Sequence, residues 1–166
     1  MASELKVENI SHTNGTAAVT IDDSGRVLHP AKPAWRVSIA TNQVVNISAN
    51  TTVNWTALDF DIGNNFDLSN NYYTIPVTGL YHINAQVSLE EVANSTNTYI
   101  YVVVNGSGLY IGGLNDPQGG NNTAPNYSSV HQFTTGDEIS IMARAVSDTN
   151  CIIRQYTSYF SGYLVG

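Results

Sequence analysis

The stretch Asn71–Leu89, NYYTIPVTGLYHINAQVSL, decides the fold. From Leu80 its residues alternate without a break. Tyr81, Ile83, Ala85, Val87 and Leu89 fall on one side, and Leu80, His82, Asn84, Gln86 and Ser88 on the other. A strict period of two over this length belongs to a β-strand with one face buried. Pro76 has no N–H to give to a ladder, so a preceding strand, Tyr72–Ile75, is expected to stop there. Val77-Thr78-Gly79 then reads as a short turn, with Gly79 relieving it of a side chain.

The composition agrees with a sheet protein. The 166 residues suffice for one domain with a real core. Charged residues are only 11%, tyrosines number 10, and Asn, Thr, Ser and Gly fill the turns. No window carries a sustained 3.6-residue apolar stripe. The formal net charge of -7 comes with no basic stripe, which argues against nucleic acid as a partner. An acidic surface also disfavours anionic membranes, and no apolar run is long enough for insertion as a helix. With 1 Cys, Cys151, no internal disulfide can form. The opening MASELKVENISH lacks a basic region followed by an apolar run, so no secretory signal is expected.

Residues 1–33 read as an attachment arm and linker. Leu5 and Val7 alternate, and His12–Thr16 is a turn signal. Ala17–Ile21 and Arg26–Leu28 flank Asp22-Asp23-Ser24-Gly25 as a hairpin. A lone hairpin is marginal in water, so Leu5, Val7, Val19, Ile21 and Val27 are the candidates for packing on another protein. His29-Pro30-Ala31-Lys32-Pro33 is a stiff linker, and the boundary is placed there.

From residue 34 to 166 strand follows strand: Trp35–Ile39, Val44–Ile47, Thr51–Phe60, Tyr72–Ile75, the alternating strand, Thr98–Val104, Leu109–Leu114, Tyr127–Phe133, Glu138–Ala145, Cys151–Tyr156 and Ser158–Val165. Such spacing indicates an all-β sandwich or barrel. TYIYVVV (Thr98–Val104) is apolar on both faces, as is the final strand, which implies a second cover beyond the domain's own core. A neighbouring subunit in a closed oligomer is the economical cover, and Tyr99, Tyr101, Tyr159 and Tyr163 are the interface candidates.

Catalytic signals are weak. His12, His29, His82 and His131 have no metal-ligand spacing, Cys151 has no positioned base, and no Gly-x-Ser-x-Gly elbow occurs. Glu90-Glu91 are adjacent and form no glycosidase pair. Asp59 and Asp61 would share a strand face and are the candidates for a calcium ion; no other cofactor is expected. The loops Glu90–Asn97 and Asn115–Asn126 carry Asn94, Asn97, Asn115, Asp116, Gln118 and Asn121, planar hydrogen-bonding groups suited to recognising sugars.

Gly79-x-Tyr81-x-Ile83, Gly136-Asp137-Glu138-Ile139 and Ser158-Tyr159-Phe160-Ser161-Gly162-Tyr163-Leu164, in that order, resemble the signatures of complement C1q-like globular heads in the tumour-necrosis-factor-like superfamily. Ile83 stands where an aromatic is usual. The resemblance implies a C1q/TNF-like jelly roll of ten strands, assembled as a homotrimer, recognising ligands by outward loops and not an enzyme. MASELKV followed by NGTAAVTIDDSGRVLHP resembles the short leaders of tailed-bacteriophage virion proteins. Together these imply a virion-surface protein made in the host cytoplasm. It would be a capsid decoration or head-fibre knob, or a short tail-fibre tip, docked through its arm on a capsid or tail protein. The alternatives are a tail-fibre module binding host surface glycan and, further off, a cell-surface or secreted C1q-like adhesin.

Overall fold

The computed structural model describes residues 5–92, 97–115, 122–146 and 150–166, and for residues 108–115 the backbone alone. The arm contributes β1 (Asn9–Ser11), β2 (Ala17–Ile21) and β3 (Val27–Leu28). There follow β4 (Ala34–Ser38), β5 (Gln43–Val45), β6 (Thr51–Thr52), β7 (Ala57–Ile62), β8 (Phe66–Asp67), β9 (Tyr72–Thr74) and β10 (Gly79–Gln86). The chain closes with β11 (Leu89–Glu90), β12 (Thr98–Val104), β13 (Gly108–Asn115), β14 (Asn126–Phe133), β15 (Glu138–Ala145), β16 (Cys151–Ile153) and β17 (Tyr159–Leu164). The described residues are all-β, as the sequence implied.

Two large antiparallel sheets make a sandwich. One is ordered β14-β10-β17-β4-β7, the other β13-β12-β15-β9-β8 with β6 pairing β15. A small sheet, β11-β16-β5, closes one end, and the arm forms its own sheet, β1-β2-β3. The core is drawn from both large sheets. Trp35 and Phe160 come from the first, with Tyr81, Ile83 and Ala85 of β10; Tyr73, Ile100, Val102, Ile139 and Ile141 come from the second. Trp35 stacks on Tyr73 across the sandwich at 3.7 Å between ring centroids, and Phe160 meets its edge at 5.5 Å. Burying a large apolar side chain contributes roughly 1.5–3 kcal/mol, so this aromatic group is a main source of stability.

Three expectations change in detail. The alternating strand stops at Gln86 because Val87 and Ser88 give their N–H groups elsewhere, to Pro125 O at 3.1 Å and Ser158 Oγ at 3.0 Å. Val87 and Leu89 remain in the core, but Leu89 belongs to the small end sheet. Thr51–Phe60 is two strands, not one: β6 pairs in one large sheet and β7 in the other, so Val53–Thr56 crosses the sandwich edge, burying Val53 and Trp55. Gly79 already lies in β10, without a positive φ, where a Cβ would come within 2.7 Å of Leu164 Cδ1 and 3.1 Å of Gly166 O; close packing, not turn geometry, favours glycine there. By contrast Gly136 does need its conformation, at φ +93°. Asp137 finishes that turn by accepting the Thr134 N–H at 2.8 Å and the Asn105 side-chain amide at 2.8 Å.

Candidate functional site

The outward face of the five-stranded sheet is built by cross-strand pairing. Ala34, Arg36 and Ser38 of β4 alternate with the buried Trp35 and Val37. They stand beside Tyr163, Ser161 and Tyr159 of β17, which in turn stand beside His82, Asn84 and Gln86 of β10. Phe60 joins from β7 opposite Arg36, and Val130 from β14 opposite His82. Phe60 and Tyr163 are each 48% exposed, and Leu80 and Val130 are exposed too. A shallow pocket of about 230 Å³ lies among Arg36, Phe60, His82, Asn84, Ser161 and Tyr163. The His82 ring leans on Tyr163 at 5.3 Å, and its Nε2 is 3.1 Å from Ser128 Oγ. Arg36 lies over the Tyr159 ring at 4.7 Å while its Nε–H bonds Asp59 Oδ2 at 3.0 Å. The one guanidinium on this face is thereby balanced by a carboxylate, leaving an apolar and aromatic patch with satisfied polar groups, the character of an association surface.

The four tyrosines expected at a subunit interface do not share this surface. Tyr159 and Tyr163 lie on it. Tyr99 and Tyr101 belong to β12, inside the other sheet between β13 and β15. Tyr101 is only 6% exposed and stacks with Tyr99 at 5.9 Å, so a single protomer already covers it. On that face Tyr101 and Val103 are thus covered within one protomer, while Tyr99 is half-buried.

Asp59 and Asp61 also part company. The β4–β7 register shifts between Arg36 and Val37, a bulge that turns Asp59 outward to Arg36 and to Ser38 Oγ at 2.9 Å. Asp61 pairs with the buried Trp35 and accepts the Phe66 N–H at 2.8 Å, while its Oδ1 is buried without a hydrogen-bond partner. The two carboxylates therefore do not converge on one ion. Among the described residues no group of three His, Cys, Asp or Glu side chains could hold a metal. Burial, and secondarily the nearby Asp61, pushes the Tyr73 hydroxyl far above its ordinary range, so it stays neutral in the core. Cys151 is buried in β16. His131 lies on the inner side of β14, hydrogen-bonded to Tyr127, and burial lowers its pKa.

Strand directions sort the loops to two ends. The arm meets one of them: Leu164 N–H bonds Pro33 O at 3.0 Å, Lys32 Nζ bonds Val165 O at 2.9 Å, and Ala18 faces Val77 and Val165 across a cleft of about 400 Å³. The arm's pairs Ile10↔Val19 and Ile21↔Val27 set four apolar residues on one side, with Ile10 and Val27 exposed along with Leu5. Val7 is half-buried beside Ile21.

At the opposite end lie the small sheet β11-β16-β5 and the described ends of both polar loops. Asn97 is exposed there, and Thr98 pairs with Asn115, so the two loops leave from adjacent points. Asn94, Asp116, Gln118 and Asn121 lie outside the described residues, and Asn115 is placed by its backbone. This end also carries a group that the sequence did not single out. Tyr156 is 78% exposed, at φ +62°, and Arg154 and Thr157 on either side of it in sequence line a groove of about 360 Å³ with Ser88, Asn122 and Thr123. Expected inside a strand, it sits instead on a turn, and no Gly or Asn signals that turn.

Comparison with known proteins places this architecture. The described fold is similar to the globular domain of zebrafish complement 1qA protein, at TM-score 0.61 and 17% identity over 81% of this chain and 98% of that one. Murine APRIL is similar at TM-score 0.60 and 12% identity, over 81% of this chain and 99% of that one. Eiger TNF from S. frugiperda is similar at TM-score 0.56 and 9% identity, over 81% and 91%. Among curated protein sequences none matches the chain. The family model of the C1q domain matches residues 34–165, which contain both large sheets and all three signature segments, and the chain therefore belongs to the C1q domain family.

Proposed function

We propose that this chain is a non-enzymatic, homotrimeric display protein of a bacteriophage particle, anchored by its arm and presenting its loop end outward. The observation that carries the reading is the polarity of the fold: the arm, with its exposed apolar side, and the points from which the long polar loops leave stand at opposite ends of one jelly roll. An anchor and a recognising tip need that separation. Self-association is supported by the exposed apolar and aromatic face of the five-stranded sheet, which contains Phe60, Leu80, Val130 and Tyr163. A homotrimer is also what membership of this family leads one to expect. The virion assignment rests on the likeness of residues 1–33 to phage virion leaders. Of the virion positions, a capsid decoration or head-fibre knob is put before a tail-fibre tip.

Sedimentation equilibrium of the purified chain tests the assembly, with a trimer expected and a stable monomer sufficient to overturn it. Deleting residues 1–28 should leave a folded trimer that no longer attaches to its particle. Antibody labelling on the head surface, rather than the tail, distinguishes the two virion positions. A second reading, recognition of host surface glycan by the loop end, is favoured by the exposed Tyr156 and the groove lined by Arg154 and Thr157.

A further inference from the structure

Among the described residues, five other than glycine have positive φ: Asn64, Asn71, Glu91, Asn105 and Tyr156. Asparagine tolerates this region; glutamate and tyrosine occupy it only under strain. Both exceptions, Glu91 at +61° and Tyr156 at +62°, lie at the loop end, next in sequence to Glu90 and close to Arg154. Those two side chains form an ion pair at 2.8 Å. Strain is thus concentrated around one feature.

The turn bearing Tyr156 is held from several sides. Gln155 N–H bonds Asn42 Oδ1 at 2.9 Å, and Thr157 N–H bonds Gln155 O at 2.7 Å. Thr157 O accepts from Gln86 Nε2 at 2.9 Å and from Ser88 Oγ at 3.3 Å, while Arg154 N–H bonds Ser88 O at 2.9 Å. The hydrogen bonds fix the backbone, yet the ring it carries is 78% exposed, a large apolar surface that the fold itself leaves unused. Arg154 and Thr157, just before and just after it, line the polar groove with Ser88, Asn122 and Thr123.

We infer that Tyr156 and this groove form a binding site for a neutral oligosaccharide. One sugar ring would lay its apolar C–H face on the exposed tyrosine ring. The hydroxyls of the next would reach the Arg154–Glu90 pair, whose planar groups offer donors and an acceptor side by side, and the Asn122 amide. Neutrality follows from charge: Glu90 already balances Arg154, and the chain as a whole carries -7, which repels acidic sugars. The inference rests on the display reading only in requiring the loop end to face outward.

The test uses the full chain on immobilised neutral oligosaccharides and their sialylated counterparts, with affinities measured by calorimetry. The wild type should bind at least one neutral glycan, and the sialylated forms more weakly. Tyr156→Phe should keep the affinity within about threefold, while Tyr156→Ala should lose about tenfold or more, the scale of one aromatic stacking contact. Tyr156→Gly should also lose binding yet raise the unfolding midpoint, because glycine relieves the strain; a purely structural tyrosine would do the reverse. Binding to none of the neutral glycans overturns the inference. So does binding that Tyr156→Ala leaves intact, or a change of oligomeric state in that variant, which would assign the ring to a subunit contact. A wild-type monomer that still binds glycan through Tyr156 would refute the proposed assembly and leave this site standing.

Discussion

The indole of Trp35 occupies the space that a side chain on Gly162 would need. The two residues are cross-strand partners, and a Cβ at Gly162 would lie 2.3 Å from the Trp35 ring and 2.9 Å from His82 O. The glycine of the closing signature is thus a packing requirement, and it lets Trp35 reach Tyr73 across the sandwich. Because one obstacle is backbone, the clash cannot be relieved by turning a side chain. Gly162→Ala should destabilise the fold by about 3 kcal/mol, as over-packing does. A urea midpoint equal to that of the wild type would contradict this packing account.

Tyr101 separates folding from assembly. At 6% exposure it is covered within one protomer. Tyr101→Ala should therefore cost about 3–5 kcal/mol, as for other large buried aromatics, and the loss should not vary with protein concentration. Calorimetric melting at several concentrations measures this directly. A midpoint shift that disappears on dilution would restore the residue to a subunit contact.

The sequence shows the fold wherever burial leaves a period. Tyr81, Ile83 and Ala85 declare β10, and the buried sides of β4 and β15 follow from the same alternation. It is ambiguous where burial has two possible sources: the apolar second face of β12 could not reveal how much of it the protomer itself covers. It is silent where geometry depends on residues distant in the chain. The bulge that turns Asp59 away from Asp61 is a property of the β4–β7 pairing. The left-handed turn at Tyr156 is held by Asn42, Gln86 and Ser88, all far away in sequence. Most of the candidate site lies on such non-local features, so the fold was legible and the site was not.

Tyr163 offers the matching probe of assembly. It is half-exposed in the centre of the outward face of the five-stranded sheet, beside His82 and near Phe60. Tyr163→Glu introduces charge on that face without touching the core. The variant should keep its β-sheet circular dichroism and sediment as a monomer, since an unpaired charge buried in an interface costs several kcal/mol. A variant that sediments as the wild type does would place the contact on some other surface.

Acid sensitivity should come in two steps with different owners. Burial lowers the His131 pKa in the folded state, where the ring is bonded to Tyr127. The unfolded chain then binds a proton that the folded chain resists, so stability falls as pH drops below the ordinary histidine value of about 6.5. His131→Gln should flatten that part of the profile. Asp67 acts lower down. Its carboxylate accepts from the Ser69 hydroxyl at 2.5 Å, the Asn70 side chain at 2.8 Å and the Ser69 N–H at 2.8 Å, which hold its pKa down to about 2. A lowered carboxylate pKa contributes stability above the unfolded value of 3.8 that is lost as pH falls towards 2. Carboxyl NMR titration should find Asp67 still ionised at about pH 3, where ordinary aspartates are largely protonated. An Asp67 that titrates with the ordinary group would mean that the turn at residues 67–70 does not hold its carboxylate in solution.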